Sequence, residues 1–331
     1  MSFIPGKPLY EVWFGHRQRG FNKETVERHR RCALREIASA MAQLKKYSFK
    51  KGGFVTFDSA GNPVGVGPMR HVDHKAMLDR WFIDNDPTDD PIYVESPEFS
   101  SLLDYETFPL DLHEEVKPFP RGVTLLLKLM IRCLVDQLEP GPKSSKPFVL
   151  AHPDYDIQNF LVSETGELQG IIDWDGIAAV PRDIGSERYP GWLTRDWDPA
   201  MYGWNKSMGK GEEPEGVWED SPKSLKKYRR VYREMVAKCR EKWDGPPDAR
   251  PDVNITRRSL VIENLTIAAQ DPQSRSDIVR KIVQAIAGVL GREADLDFMK
   301  LVDRCAEGKL IDDIREILAE GINALLKKDN L

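Results

Sequence analysis

Cysteine is scarce in this chain and unpatterned. Four are present in 331 residues (Cys32, Cys133, Cys239 and Cys305), with no C-x-x-C spacing. That excludes a disulfide framework and a thiolate zinc cage, and reads as reduced, packed thiols. Long apolar runs are also missing. The most apolar stretch, Gly122 to Val135, is interrupted by Lys128 and Arg132 and is too short to span a bilayer. The first residues, Met1-Ser-Phe-Ile-Pro-Gly-Lys7, lack the apolar segment of a secretory leader. A surplus of positive charge is absent too: the net charge of −5 gives no electrostatic reason to expect a nucleic-acid partner. No internal repeat or low-complexity segment is evident. The expectation is a soluble cytoplasmic protein.

What is present is a sequence of helices around one short region of strands. Leu34, Ile37, Ala38, Met41 and Leu44 recur at helical steps, predicting a helix over Lys23 to Tyr47. Phe54 to Phe57 and Val64 to Val66 flank Asp58-Ser-Ala-Gly-Asn62, the composition of a hairpin turn. Residues 84 to 121, rich in proline and acid, read as loops and short helices, and Val123 to Leu138 as a buried helix. Lys223 to Trp243 carries an aromatic stripe at helical spacing. Gly245 to Pro251 reads as a linker, and Ile278 to Leu290 and Leu310 to Leu326 as amphipathic helices.

The informative region is the middle. Phe148-Val-Leu-Ala151 runs into His152-Pro-Asp-Tyr-Asp-Ile-Gln-Asn159. A short strand, a Ser163-Glu-Thr-Gly-Glu167 turn and a second strand follow, ending in Asp173-Trp-Asp175. Phosphoryl transfer to an alcohol needs a carboxylate to orient and deprotonate the hydroxyl. It also needs a carboxylate and an amide oxygen to hold Mg²⁺ on the phosphates. The H-x-D-x-x-x-x-N spacing, then a hairpin, then an Asp supplies those groups in that order.

These residues, with Pro181-Arg-Asp-Ile-Gly185 beyond them, resemble the aminoglycoside phosphotransferase/choline kinase-like family, in particular its fungal-type members. The resemblance implies an α+β, mostly helical fold. It would be a protein-kinase-like large lobe with a small catalytic hairpin and a helical C-terminal extension. Domains are expected at 1–15 (hinge-like), 16–244 (kinase-like lobe) and 252–331 (extension). The resemblance further implies Asp154 as catalytic base and Asn159 and Asp173 as Mg²⁺ ligands. His152 and Asp183 become structural supports, and Asp175 a possible contact to metal or substrate. Pro153 stands where the family most often has Gly. The segment Met1 to Leu9 looks like the interlobe hinge, which places Phe3 and Ile4 beside the adenine of ATP, and no nucleotide-binding lobe is identified upstream of it. Two functions follow: an ATP-Mg²⁺-dependent kinase acting on a hydroxyl of a small molecule, or a catalytically impaired kinase-like binding module. An incomplete gene product is a third possibility. The acceptor and the oligomeric state are not legible.

Weaker features remain. Gly65-Val-Gly67 with Lys75 could be half of a phosphate loop, but reads as an ordinary hairpin. His71-Val-Asp-His74 lacks further metal ligands. The acids Asp84, Asp86, Asp89 and Asp90 read as a solvated loop that would favour a cationic substrate if they lined the cleft. The basic charges of the 223–243 helix read as a solvated face rather than an RNA surface.

Overall fold

The computed structural model describes residues 3–18, 22–82, 92–139, 148–210, 218–241, 254–293, 296–309 and 312–328. The linker at 245–251 and the acids at 84, 86, 89 and 90 lie outside the described residues.

Strand β1 (Lys7–Pro8) leads into two short helices, α1 (Leu9–Trp13) and α2 (Gly15–Gln18). Helix α3 (Lys23–Ala42) starts where the Asn22 side chain accepts the Thr25 N–H at 2.8 Å, satisfying one orphan donor of the first turn. It was expected to reach Tyr47, but the last turn tightens into a 3-10 segment over Gln43–Lys46. Such tightening is common where a helix end loses its i→i+4 partners. The strands β2 (Ser48–Phe49), β3 (Gly53–Phe57), β4 (Pro63–Gly67) and β5 (Met69–Val72) follow. The expected hairpin is β3–β4, and Asp58 Oδ1 closes its turn by accepting the N–H groups of Ala60 and Asn62. Then come α4 (His74–Phe82), β6 (Tyr93–Ser96), α5 (Leu102–Asp111) and α6 (Pro118–Leu138). Helix α6 begins a turn before the apolar run, because a proline fits a first-turn position at no cost in hydrogen bonds.

The central strands are β7 (Phe148–Ala151), β8 (Phe160–Val162), β9 (Leu168–Ile171) and β10 (Ala178–Pro181). Beyond them lie α7 (Pro222–Glu241), α8 (Ile255–Gln270), α9 (Pro272–Leu290), α10 (Phe298–Ala306) and α11 (Asp312–Lys327).

Strand β8 pairs with β9 as the expected hairpin and with β1 on its other side. The structure adds a second sheet that the catalytic-hairpin expectation did not contain. It has five strands in the order β2-β7-β10-β3-β4. Strand β7 therefore sits inside a sheet, with all four residues buried, as does β10 opposite it. Gly185 lets the chain after β10 pack on this sheet: a Cβ there would fall 2.2 Å from Val149 Cγ2. Helices α10 and α11 pack on α6, and α8 on α5 and α9. One apolar core runs from Trp13 and Leu34 through Leu126 and Phe160 to Ile282 and Leu325. The C-terminal helices thus share the core of the strand region. Among the described residues no helix is long and apolar enough to cross a membrane.

Candidate active site

The loop after β7 alternates. Tyr155, Ile157 and Asn159 are buried, Asp154 and Gln158 are exposed, and Asp156 is half-buried. Tyr155 anchors it from beneath, its hydroxyl 2.8 Å from that of Tyr232 on α7 and its ring edge-on to Phe160. Asp156 caps the 3-10 turn Ile157–Asn159 by accepting the Ile157 N–H, and it accepts Arg195 Nη2 at 2.9 Å.

His152 is buried and bonded at both ring nitrogens. One faces the Ile172 carbonyl at 2.8 Å, which can only accept, and the other faces the Asp154 N–H at 3.2 Å, which can only donate. This fixes the neutral tautomer protonated at Nε2, and burial pushes its pKa down in the same direction. The ring also packs against Trp174 at 4.5 Å. His152 thus ties the start of the loop to the end of β9.

Asp154 Oδ2 accepts Gln158 Nε2 at 2.7 Å and Asn159 Nδ2 at 2.8 Å. Asn159 Nδ2 also reaches the Asp154 carbonyl at 2.7 Å. Among the described residues Asp154 Oδ1 and Asn159 Oδ1 have no hydrogen-bond partner. The Asn159 carbonyl accepts the Ile172 N–H at 3.0 Å, so the loop end lies beside the residue before Asp173. Asp173 adopts φ 62°, the left-handed region, as the only described non-glycine residue with positive φ. An Asp tolerates that conformation better than most side chains, but it is held there by its surroundings, as strained positions at functional sites are. Asp173 and Asp175 are both exposed.

Mg²⁺ is taken by one or two carboxylates plus phosphates and waters rather than by a full protein cage. An amide oxygen without a partner on Asn159 and a carboxylate on Asp173, with backbones tied through Ile172, fit that demand. No three His, Cys, Asp or Glu side chains among the described residues converge on an ion site.

Asp183 is buried and accepts Arg258 of α8 at 2.6 Å, so this acid bonds to the C-terminal helices. The backbone of the loop is reached by Arg188, whose Nη2 donates to the His152 carbonyl at 3.1 Å and Nη1 to the Ile184 carbonyl at 2.9 Å. Phe3 is exposed. Ile4 covers β9 at Gly170, where an added Cβ would come within 2.9 Å of Ile4 Cγ2. The segment expected to be the hinge therefore lies along the β8–β9 hairpin through β1.

A cavity of ≈570 Å³ opens beside the loop. Pro153, Asp154 and Asp156 line it on the loop side; Glu263, Thr266, Ile267 and Gln270 of α8 line it on the other. Arg188 Nε lies 3.2 Å from Glu263 Oε1. Burial pushes Glu263 up to about 7, against the opposing pull of Arg188. Behind Thr266, the Thr266 hydroxyl is 2.8 Å from Glu106 Oε1, and burial pushes Glu106 up to about 8. Gln158, Arg188, Glu263 and Glu106 escaped the sequence reading. Gln158 stood inside the quoted motif; the other three had no local signal.

The weaker features resolve plainly. Gly65 and Gly67 lie in β4, paired to β3, and Lys75 pairs with Asp79 on α4 at 3.0 Å. Asp73 binds His113 at 2.7 Å, and His71 Nε2 lies 2.9 Å from Ser96 Oγ, so the two histidines and the acid do not converge. On α7 two of the basic residues turn inward: Arg229 bonds Asp196 at 2.6 Å and Arg240 bonds Glu187 at 2.7 Å.

Comparison with known proteins adds one match. The model of the phosphotransferase enzyme family, APH, matches residues 1–182, from the hinge-like segment to the start of the Arg182-Asp-Ile-Gly185 turn. No curated protein and no solved structure matches the chain.

Proposed function

Because the chain belongs to the phosphotransferase enzyme family over residues 1–182, we propose that it transfers the γ-phosphoryl group of ATP to a hydroxyl of a small molecule. The observation that carries this reading is the clamp on Asp154. Two amides hold Oδ2, leaving Oδ1 available at the mouth of a cavity of ligand size.

In this reading the acceptor hydroxyl donates to Asp154 Oδ1. As its oxygen forms the new bond to phosphorus, the bond from phosphorus to the β,γ-bridging oxygen breaks. The hydroxyl proton passes to the Asp154 carboxylate and ADP leaves with the electron pair. The amides of Gln158 and Asn159 fix the carboxylate in one orientation, which converts encounter into alignment. Asn159 Oδ1 and Asp173 would hold Mg²⁺, which when bound neutralises charge developing on the phosphates. His152 acts by holding the loop on β9 and takes no proton, since both of its nitrogens are engaged with backbone. Phe3 and Ile4 would border the adenine, and Asp175 the phosphates or the acceptor.

A thermal melt with ATP and Mg²⁺ separates this reading from a binding module without chemistry. A Mg²⁺-dependent rise in Tm, lost in Asp173→Ala, together with a new phosphomonoester in ³¹P NMR, is expected. No Mg²⁺-dependent shift and no phosphomonoester would sink the kinase reading.

A further inference from the structure

One wall of the cavity beside Asp154 is the edge of a strand. All four residues of β5, Met69, Arg70, His71 and Val72, line it. Strand β5 pairs with β6 on one side only, in the register Met69↔Ser96, Arg70↔Glu95, His71↔Val94 and Val72↔Tyr93. The next pair in that register is Asp73 with Ile92, and there the Asp73 N–H donates to the Ile92 carbonyl at 2.7 Å. In an antiparallel ladder, residues bonded across alternate with residues whose N–H and C=O point the other way. Asp73, His71 and Met69 therefore bond towards β6, while Arg70 and Val72 turn their main-chain N–H and C=O to the unpaired edge. Neither residue makes a further backbone bond outside the ladder among the described residues. Both are exposed, Val72 to 37%, so no other part of the described chain seals this edge. The long side chain of Arg70 leans back over β6, its guanidinium 4.2 Å from the Tyr93 ring.

Two residues two places apart, about 7 Å along the strand, each offering one donor and one acceptor, form the template that an extended peptide fits. A strand laid antiparallel on this edge sets one residue opposite Arg70 and another, two places along, opposite Val72. Each exchanges a pair of N–H···O=C bonds with its partner. The cavity of ≈570 Å³ suits a ligand of a few residues and not a folded chain, and Asp154 lines the same space. Phe54 and Ile267 add apolar surface for the side chains of such a ligand. We propose that the acceptor is a short peptide or peptide-like amide, seated as an added strand on β5 with a side-chain hydroxyl at Asp154. This rests on the phosphotransfer reading for the role of that hydroxyl; the seating on β5 rests on the ladder alone. Recognition by main-chain groups reads the backbone of the ligand, and leaves the choice of its side chains to the remaining walls.

The test is binding to the full chain without ATP, by ligand-observed NMR, using acetyl-Ala-Ser-Ala-amide and two N-methylated analogues. One analogue is methylated at both alanine nitrogens, the other at the serine nitrogen. Only alternate N–H groups of an added strand face β5. One analogue is therefore expected to lose about tenfold or more in affinity, and the other to stay within about threefold of the parent. Val72→Pro removes an edge N–H and no ladder bond, a change that an edge strand tolerates. It should weaken the parent tripeptide about fivefold. No binding of the parent, equal effects of the two methylation patterns, or unchanged affinity in a folded Val72→Pro would overturn the proposal. The two analogues decide on the wild type even if the variant fails to fold. With ATP and Mg²⁺ the tripeptide should give a phosphoserine signal in ³¹P NMR. If the pattern holds but no acceptor yields a phosphomonoester, the phosphotransfer reading fails and the edge site stands. If other alcohols are phosphorylated while the serine is not, the proposal fails and the phosphotransfer reading stands.

Discussion

The two walls of the cavity are built on opposite terms. On the loop side, polar groups are fixed by short bonds between near neighbours in sequence: Gln158 and Asn159 to Asp154, Asp156 to Ile157. On the α8 side, Glu263 faces Arg188, and behind the lining residue Thr266 the carboxyl of Glu106 on α5 is buried; each keeps one oxygen unpaired among the described residues. The first wall is preorganised in the way chemistry requires, with a carboxylate oriented before anything binds. The second rests on contacts between residues far apart in sequence, Arg188 with Glu263 and Thr266 with Glu106. The two walls therefore come from separate elements, the loop after β7 and helix α8.

Substitutions on each wall should reveal this division. Asp154→Asn should lower kcat on a confirmed acceptor by about 10²- to 10⁴-fold, with Tm little changed because the side chain is exposed. A large fall in Tm would mean that the loop wall is structural instead. Asp183→Ala leaves Arg258 short of its buried partner, and urea unfolding should show a loss of about 3 kcal/mol. A loss below about 1 kcal/mol would mean that the acid does not tie α8 to the strand region.

The carboxyl behind the far wall predicts a pH effect. Glu106 is raised in the fold to about 8 from an ordinary 4.5. Between those values the folded chain holds a proton that the unfolded chain has released, so this group lowers stability as pH rises through the window. Glu106→Gln should match the wild type near pH 4 and exceed it at pH 9 by on the order of a few kcal/mol. Parallel stability curves would mean that Glu106 titrates normally. Tyr155→Phe removes only the Tyr232 contact and should cost about 1 kcal/mol while leaving activity nearly intact. Lys75→Ala is expected to do least: its partner Asp79 is an exposed neighbour on the same helix, worth about 0.3 kcal/mol. A tenfold loss of ATP affinity there would revive the phosphate-loop reading of Gly65 and Gly67.

The same contrast explains what could be read from sequence. The loop wall was legible because its groups lie within a few residues of one another. The hairpin β8–β9 then returns Asp173 by a turn written in Ser163 to Glu167. The five-stranded sheet was not legible. Strand β2 has two residues and β10 reads Ala-Ala-Val-Pro, both too short to show alternation; β2 forms a strand because β7 pairs with it, and β10 because β7 and β3 flank it. The pairing of Arg188 with Glu263 depends on α8, whose residues are buried on nearly every side. Such a helix has no polar stripe from which a facing could be deduced.

The central claim is that Asp154 directs phosphoryl transfer at this cavity. It is tested most directly by following ATP and Mg²⁺ with an acceptor panel in ³¹P NMR, for wild type and Asp154→Asn. The account predicts an acceptor-dependent phosphomonoester with equal ADP from the wild type, and less than one hundredth of that rate from the variant. A variant within threefold of the wild type would contradict it, as would a wild type that neither forms a phosphomonoester nor gains thermal stability from ATP with Mg²⁺.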